Sequence, residues 1–354
     1  MFTPKMQFGR WNNTEDAPAD WLKKATSASF DGAMPNMGVV EIPGGSPIVV
    51  KIVQDSITEG GSRLITWCWE YWRSIHEEIM THRALSRNSA SSRAIPAQRM
   101  REWILAKPAI PVYWGMNQRG MQATEELSPD EIEAAREWWL GSLTLMAMRH
   151  EQGEKMGLHK QIVNRCIQPW MTMSVVVSAT NDGHSNLFHL RKHKAAEPHF
   201  QCIAGLAWEL YHNHKPTFVP VGGWHLPYVD DTRVGVDMAK KISTARCARV
   251  SYLTHEGKRD VEKDLELHDM LAATASLGAE PMHASPFEHP ARAVGERKRI
   301  GNFEGWRQYR KYFVNEAGPD STIDRCNECG CWALRHVRGC SQTFGEDEYR
   351  AERE

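Results

Sequence analysis

The chain has 354 residues, is 41% hydrophobic and 25% charged, and carries a formal net charge of -1. That is ordinary globular composition with ample material for a core, and the near-neutral balance argues against a broad polyanion-binding surface. No apolar run of about 18 residues is present and the first residues lack a signal-peptide core, so the expectation is a soluble, cytoplasmic protein with no membrane partner.

Residues 1–36 are polar and patternless and read as an N-terminal extension. Ile48, Val49, Val50, Ile52 and Val53 predict a strand. After Gly60-Gly61, the spacing of Leu64, Cys68, Tyr71 or Trp72, Ile75 and Ile79 predicts a helix that delivers His82 and Arg83 at its C-terminal end. From residue 82 to 107 six basic residues (Arg83, Arg87, Arg93, Arg99, Arg101, Lys107) face one acid, Glu102. Guanidinium forks mixed with hydroxyls suit a phosphate-bearing small molecule; a solvated basic loop or a nucleic-acid patch is the competing reading.

Residues 108–127 read as loop, and Ser128-Pro129-Asp130-Glu131 as a helix start with a capping box. A third unit begins near Gly157. Met171, Met173, Val175, Val177 and Ala179, alternating with Thr172, Ser174 and Ser178, predict a half-buried strand. Asn181-Asp182-Gly183 is expected to turn the chain before a helix carrying Asn186 and Arg191. A helix is expected over 198–214, irregular chain over 216–240, a short strand at Ala248–Tyr252, a helix over 261–275 and a loop over 283–290. With no repeat and no flexible linker, the simplest parse is an extension at 1–36, one catalytic domain at 37–315 and a Cys-rich tail at 316–354. In that tail Cys326, Cys329, Cys331 and Cys340, beside His336, could hold a structural zinc. The other cysteines read as reduced core thiols.

Thr81-His82-Arg83, seven residues, Ser91 and then Arg93 resembles the signature of the flavin-dependent thymidylate synthases (ThyX family), with its first Arg replaced by Thr81. Further elements match. They are Ser285-Pro286-Phe287-Glu288-His289 preceded by His283, Ala248-Arg249-Val250-Ser251-Tyr252, Asn164-Arg165 through Pro169, and Asn186 to Arg191 running on to Gln201. In the family the Ala-Arg-Val-Ser-Tyr and Ser-Pro-Phe-Glu-His blocks precede the Arg-His-Arg motif. Here they follow it, an order that resembles a circular permutation.

The resemblance implies an α+β, ThyX-like fold with a mixed sheet and packed helices, in permuted order. It implies reductive methylation of dUMP at C5 to dTMP, with FAD and NADPH for the redox work and methylenetetrahydrofolate as carbon donor. It implies a homotetramer with shared active sites. On the matching positions, Arg93 and Arg165 would hold the nucleotide phosphate. Ser91 would contact substrate, and Arg191 would sit against the pyrimidine carbonyls and stabilise charge as the ring is activated. His82, Arg83, Asn88, Asn186 and His289 would contact flavin. Two further departures fall on the nucleotide side, Glu78 for the family's Gln and Ser89 for its Glu. They leave a pyrimidine nucleotide C5 hydroxymethylase as an alternative, in which water captures the transferred methylene. A zinc-bearing nucleic-acid-binding protein is the alternative from another class, though nucleic acid is disfavoured by the neutral charge.

Overall fold

The computed structural model describes residues 36–229, 234–251, 260–272, 282–295 and 297–313. The candidate zinc ligands Cys326, Cys329, Cys331 and Cys340, with His336, lie outside the described residues, as do Tyr252 and nearly all of the predicted N-terminal extension. In chain order the elements are β1 (Met37–Val40), β2 (Ile48–Ile57), β3 (Arg63–Trp72), α1 (His76–Met80), β4 (Ser86–Ser89), α2 (Ala97–Ala106), α3 (Pro129–Lys155), α4 (Lys160–Val163) and β5 (Thr172–Thr180). They continue with α5 (Asn181–Arg191), α6 (Pro198–Asn213), β6 (Thr217–Phe218), β7 (Trp224–His225), α7 (Val236–Ala248), α8 (Val261–Leu271), β8 (Ala291–Ala293), β9 (Arg299–Ile300), β10 (Phe303–Glu304) and β11 (Trp306–Gln308). The result is a mixed α+β architecture.

The main sheet runs β1-β2-β3-β5-β4, antiparallel throughout, with β6 joining β2 in parallel. Its two faces are covered by different layers. On one, Ile65, Trp67, Trp69, Tyr71, Val175 and Val177 pack against Leu187, Phe200, Ile203 and Leu210 of α5 and α6. On the other, Leu64 meets Ala291, Ala293, Phe303 and Trp306 of a second layer built on the small sheet β11-β8-β7, and Val176 meets Cys247 and Val250. The first is the helix face and the second the C-terminal face.

This double cover explains where the sequence pattern misleads. The helix predicted after Gly61 is the central strand β3, followed only by a 3-10 turn (Arg73–Ile75) and the short α1. A strand buried on both faces loses its period-two signal, because Leu64 and Ile65 are equally enclosed. An apolar run of that kind offers helical spacings by chance. β5 is found where expected, but Ser178 and Thr180 are buried rather than solvated, for the same reason.

Asn181-Asp182-Gly183 is the first turn of α5, not a separate turn. Asn181 Oδ1 accepts the Arg63 amide at 2.6 Å, and Gly183 lets the helix approach the sheet, where a Cβ would stand 3.0 Å from that of Ala179. The expected strand at Ala248–Tyr252 is the end of α7 and a 3-10 turn at Arg249–Ser251. Arg246 and Arg249, three apart on one helical side, both reach the buried Asp264 carboxylate at 2.9 and 2.8 Å. Alternating strand geometry would have sent them to opposite faces. The irregular 216–240 segment contains β6, β7 and the start of α7. The capping box at Ser128 and Glu131 forms as read and starts the 27-residue α3. The helices expected over 198–214 and 261–275 are α6 and α8, and residues 285–288 form a 3-10 turn.

Candidate functional site

The first cluster lies on the helix face and is organised by Arg191, at the C-terminal end of α5. Its Nε donates to His82 Nε2 at 2.8 Å, Nη1 to Glu78 Oε2 at 3.0 Å and Nη2 to Thr81 Oγ1 at 3.3 Å. The guanidinium lies 4.7 Å from the Phe200 ring centre, and His82 meets the same ring edge-on. Asn186, five residues before Arg191 on α5, acts on the His82 ring and offsets part of its loss of basicity. Five sequence-predicted positions therefore meet here, if Thr81 is counted with Glu78, His82, Asn186 and Arg191.

Since His82 Nε2 accepts a hydrogen bond from the Arg191 guanidinium, this imidazole is neutral. Burial and the Arg191 charge lower its basicity. Glu78 is raised from the usual carboxylate range by partial burial and by Glu197, against the pull of Arg191. Its side chain is 42% exposed, against 19% for Arg191, so the ion pair opens to solvent on the carboxylate side. Two of the five guanidinium N–H groups remain uncommitted.

The basic stretch is not one surface. Arg87 turns back and donates from Nη1 to the carbonyls of Ile79, Met80 and His82 at 2.9, 3.0 and 2.8 Å, closing the C-terminal end of α1. Arg83, Arg93 and Arg165 are exposed. Arg93 and Arg165 sit on segments held together by Asn164. Its Nδ2 donates to the carbonyls of Ser92 and Ile95 at 2.8 and 3.1 Å, and its Oδ1 meets His150 Nε2 at 3.0 Å. The Arg165 Nε–H donates to the carbonyl of Gln161. Ser91 is half-buried, and its hydroxyl accepts the Arg93 amide at 3.4 Å. No hydrogen bond joins Ser91, Arg93 or Arg165 to the Arg191 cluster among the described residues. Ser89 ends β4, half-buried and opposite Val175.

The second cluster lies across β4, on the C-terminal face. Asn88 Nδ2 donates to the Cys247 carbonyl at 2.9 Å and its Oδ1 accepts from Ser285 Oγ at 3.1 Å. Gln308 ties Ser86 to the Glu288 carbonyl. The Ser285–His289 block is thereby fixed to the strand that follows His82 and Arg83. His289 itself is fully buried. Its Nδ1 faces Ser178 Oγ at 2.8 Å, and its Nε2 is buried with no hydrogen-bond partner among the described residues. Burial holds its basicity down to about 3, so it is a neutral ring.

Sequence reasoning missed Phe200 as the platform under Arg191, and missed the polar residues behind His289. Thr66 and Ser178 sit in apolar strands and His225 in a loop-like Gly-Gly-Trp-His stretch. The alternating hydroxyls of β5 were the available signal, and they read naturally as a solvent face.

No family model matches the chain, and no curated protein does. Among solved structures, it is similar to the UMP/dUMP methylase PolB from Streptomyces cacaoi bound with 5-Br UMP. The identity is 12% over 46% of this chain and 88% of that one, with a TM-score of 0.39. It is also similar to thymidylate synthase X (ThyX) from Helicobacter pylori with FAD and dUMP, at 15% identity over 42% of this chain and 67% of that one, TM-score 0.29. Likenesses this partial establish neither family nor activity. No helix among the described residues is long and apolar enough to cross a membrane.

Proposed function

We propose that this chain is a flavin-dependent enzyme transferring a one-carbon unit to C5 of a pyrimidine nucleotide, with reductive methylation of dUMP to dTMP as the leading reaction. The supporting observation is convergence. His82 and Arg191, 109 positions apart, share a hydrogen bond, and Asn88 and Ser285, 197 apart, share another. Two pairs of the blocks that carry the motif resemblance thus touch although they lie far apart along the chain. The permuted order is part of the same proposal, as are NADPH as electron source, methylenetetrahydrofolate as carbon donor, and a homotetramer with shared sites.

The residues present fit a flavin at two points. His289 offers a buried, uncommitted Nε2, and Arg83 is exposed with no ion-pair partner among the described residues. Bound FAD would supply the electrons that reduce the transferred carbon. The protein's own contribution is positioning and charge. Arg93 and Arg165, held on neighbouring segments by Asn164, would neutralise the nucleotide phosphate. Ser91 would contact the same nucleotide. Arg191, fixed over Phe200 by His82, Glu78 and Thr81, would present its remaining N–H groups to a pyrimidine carbonyl and stabilise charge as C5 is activated.

Glu78 and Thr81 favour keeping the hydroxymethylase as second reading. Both bind Arg191 directly, so the two departures from the motif act on the one guanidinium assigned to the ring. The test is the absorbance of the purified protein with added FAD, followed by NADPH- and folate-dependent tritium release from C5-labelled dUMP and product mass. Tritium release with a methyl product supports the first reading and a hydroxymethyl product the second. A chain that takes up no FAD and releases no tritium refutes both.

A further inference from the structure

Three chain segments meet where β5 enters the main sheet. β3 stops at Trp72, opposite Thr172, and the Arg73 amide donates to the Met171 carbonyl at 2.9 Å before the 3-10 turn Arg73–Ile75. β4, the other neighbour of β5, stops nearby. There the Ala90 amide donates to the Ser174 carbonyl at 3.0 Å, which puts Ser91 just beyond the sheet and begins the loop that carries Arg93. The third segment is the approach to β5. The Trp72 indole donates to the Pro169 carbonyl at 2.6 Å, and Asn164, next to Arg165, clamps the Ser92 and Ile95 carbonyls. Both β3 and β4 run antiparallel to β5, so both leave the sheet at the same end. Arg73, Arg93 and Arg165 are thus carried to one end of the sheet from three parts of the chain.

Arg73 differs from the other two because it is half-buried. Its side chain donates only from Nη1 to the Met173 sulfur, a weak acceptor, at 3.8 Å. Burial lowers its basicity and the Arg165 charge lowers it further, so the two cations act on each other at this end of the sheet. None of Arg73, Arg93 and Arg165 has an ion-pair partner among the described residues. Arg87 is no substitute, since its Nη1 is committed to the carbonyls of Ile79, Met80 and His82. His76, whose Nδ1 lies 2.8 Å from Tyr71 Oη, is a neutral ring held down to about 4 by burial and then by the charges of Arg73 and Arg87. A partly desolvated guanidinium beside a like charge is unfavourable, and an anion bound between the two reverses the sign of the interaction.

We propose that Arg73 is a binding residue for the nucleotide phosphate, completing with Arg93 and Arg165 a three-arginine subsite at the end of the main sheet. The choice of a nucleotide rests on the function proposed above; the phosphate chemistry does not. A phosphate monoester carries about -1.5 to -2 charges near pH 7 and three strong acceptor oxygens. Planar guanidinium forks without a competing carboxylate match that charge and geometry. The diphosphate of FAD shares this chemistry, and separate titrations distinguish the two.

The test uses the full chain as wild type, Arg73→Gln and Arg73→Lys, each titrated calorimetrically with dUMP, FAD and inorganic phosphate and unfolded in urea without ligand. Arg73→Gln should weaken dUMP binding by roughly tenfold to a hundredfold, as expected for lost charge-assisted hydrogen bonds. It should weaken inorganic phosphate as well and leave FAD unchanged. Arg73→Lys, which keeps the charge but loses the fork, should fall between. Without ligand, Arg73→Gln should unfold at the wild-type urea concentration or above it, because the repulsion from Arg165 is relieved. A lower midpoint assigns Arg73 to the fold and overturns the proposal. Unchanged dUMP affinity in Arg73→Gln also overturns it while leaving the nucleotide reading intact, and a loss confined to FAD overturns it by moving Arg73 to the diphosphate. A wild type that ignores dUMP but binds inorganic phosphate through Arg73 keeps the phosphate subsite and refutes the nucleotide reading. A wild type that binds neither refutes both.

Discussion

The two faces of the central sheet handle their buried polar groups differently. On the helix face charged groups are paired, beside the neutral rings of His82 and His184. Asp55 takes a bidentate contact from Arg63 at 2.9 and 2.6 Å and a third from His214 at 2.7 Å, while Glu78 takes Arg191. On the C-terminal face the ions stand in the outer layer, where Arg246 and Arg249 hold Asp264. Along the sheet itself, Ser56, His225, Thr66, Ser178 and His289 form a file of hydroxyls and neutral imidazoles. Charge gives strong, tunable attraction where solvent can still reach one partner. A neutral chain gives direction without the desolvation cost of ions. The first arrangement keeps charge beside solvent; the second satisfies enclosed groups without any charge.

The largest expected effect is at Asp55. Replacing it by alanine leaves the Arg63 guanidinium enclosed without its anion, which should cost about 3–5 kcal/mol. The check is urea unfolding, where a loss below about 1 kcal/mol would show the pair to be effectively solvated.

Acid separates the two faces by pH. His225 and His289 bind protons near pH 6.5 when unfolded and only near 3 when folded, because burial penalises the cation. The unfolded state thus binds more protons in that window, so the stability is intact above about pH 6.5 and declines as pH falls toward 3, by up to about 1.4 kcal/mol per unit for each ring. The fully buried His184, on the helix face, is lowered to about 3 in the same way and adds to the slope. Asp55 is different. Burial would raise it, but Arg63 and His214 outweigh that and hold it below its ordinary 3.8. Its contribution is present above the unfolded value and is lost only as pH falls through the lower folded one. Urea midpoints measured from pH 7 to 3 should therefore fall from about 6.5 downward; a flat profile to pH 4.5 contradicts the neutral buried rings.

A control away from both faces is Ser128→Ala. It removes the hydroxyl half of the capping box that begins α3, and thermal or urea unfolding should register about 1 kcal/mol. The smallest stability change is expected from Glu78→Gln. The carboxylate is well exposed, so solvent screens the pair and unfolding should shift by less than about 1 kcal/mol. Nucleotide affinity and product identity should change instead, since the substitution returns a full charge to Arg191. A variant unaltered in both would remove Glu78 from the site.

Much of the local structure could be read directly. Ser128 and Glu131 announce α3, Phe200, Ile203, Ala207 and Leu210 announce α6, and the helix expected to carry Asn186 and Arg191 is α5. The candidate site was legible only in part. Short motifs named Glu78, His82, Asn186, Arg191 and Ser285–His289, yet no spacing says that Arg87 folds back on α1 or that Asn88 is spent on stapling Cys247 and Ser285. Those outcomes depend on which carbonyls and hydroxyls stand opposite, a property of layers rather than of neighbours in sequence.

What the sequence determined by itself was the chemistry available: a near-neutral chain with concentrated arginines, a capped long helix, and motif blocks of recognisable type in an unusual order. Tertiary structure decided what each of those residues does. Covering the sheet on both faces turned the apparent helix at 63–72 into its central strand. The same cover turned Ser178 of β5 from an expected solvent-facing residue into a link between Thr66 and His289. The physical reason is that an enclosed polar group must find a partner. Which partner it finds is set by the second layer, supplied here by residues 217–309, far along the chain.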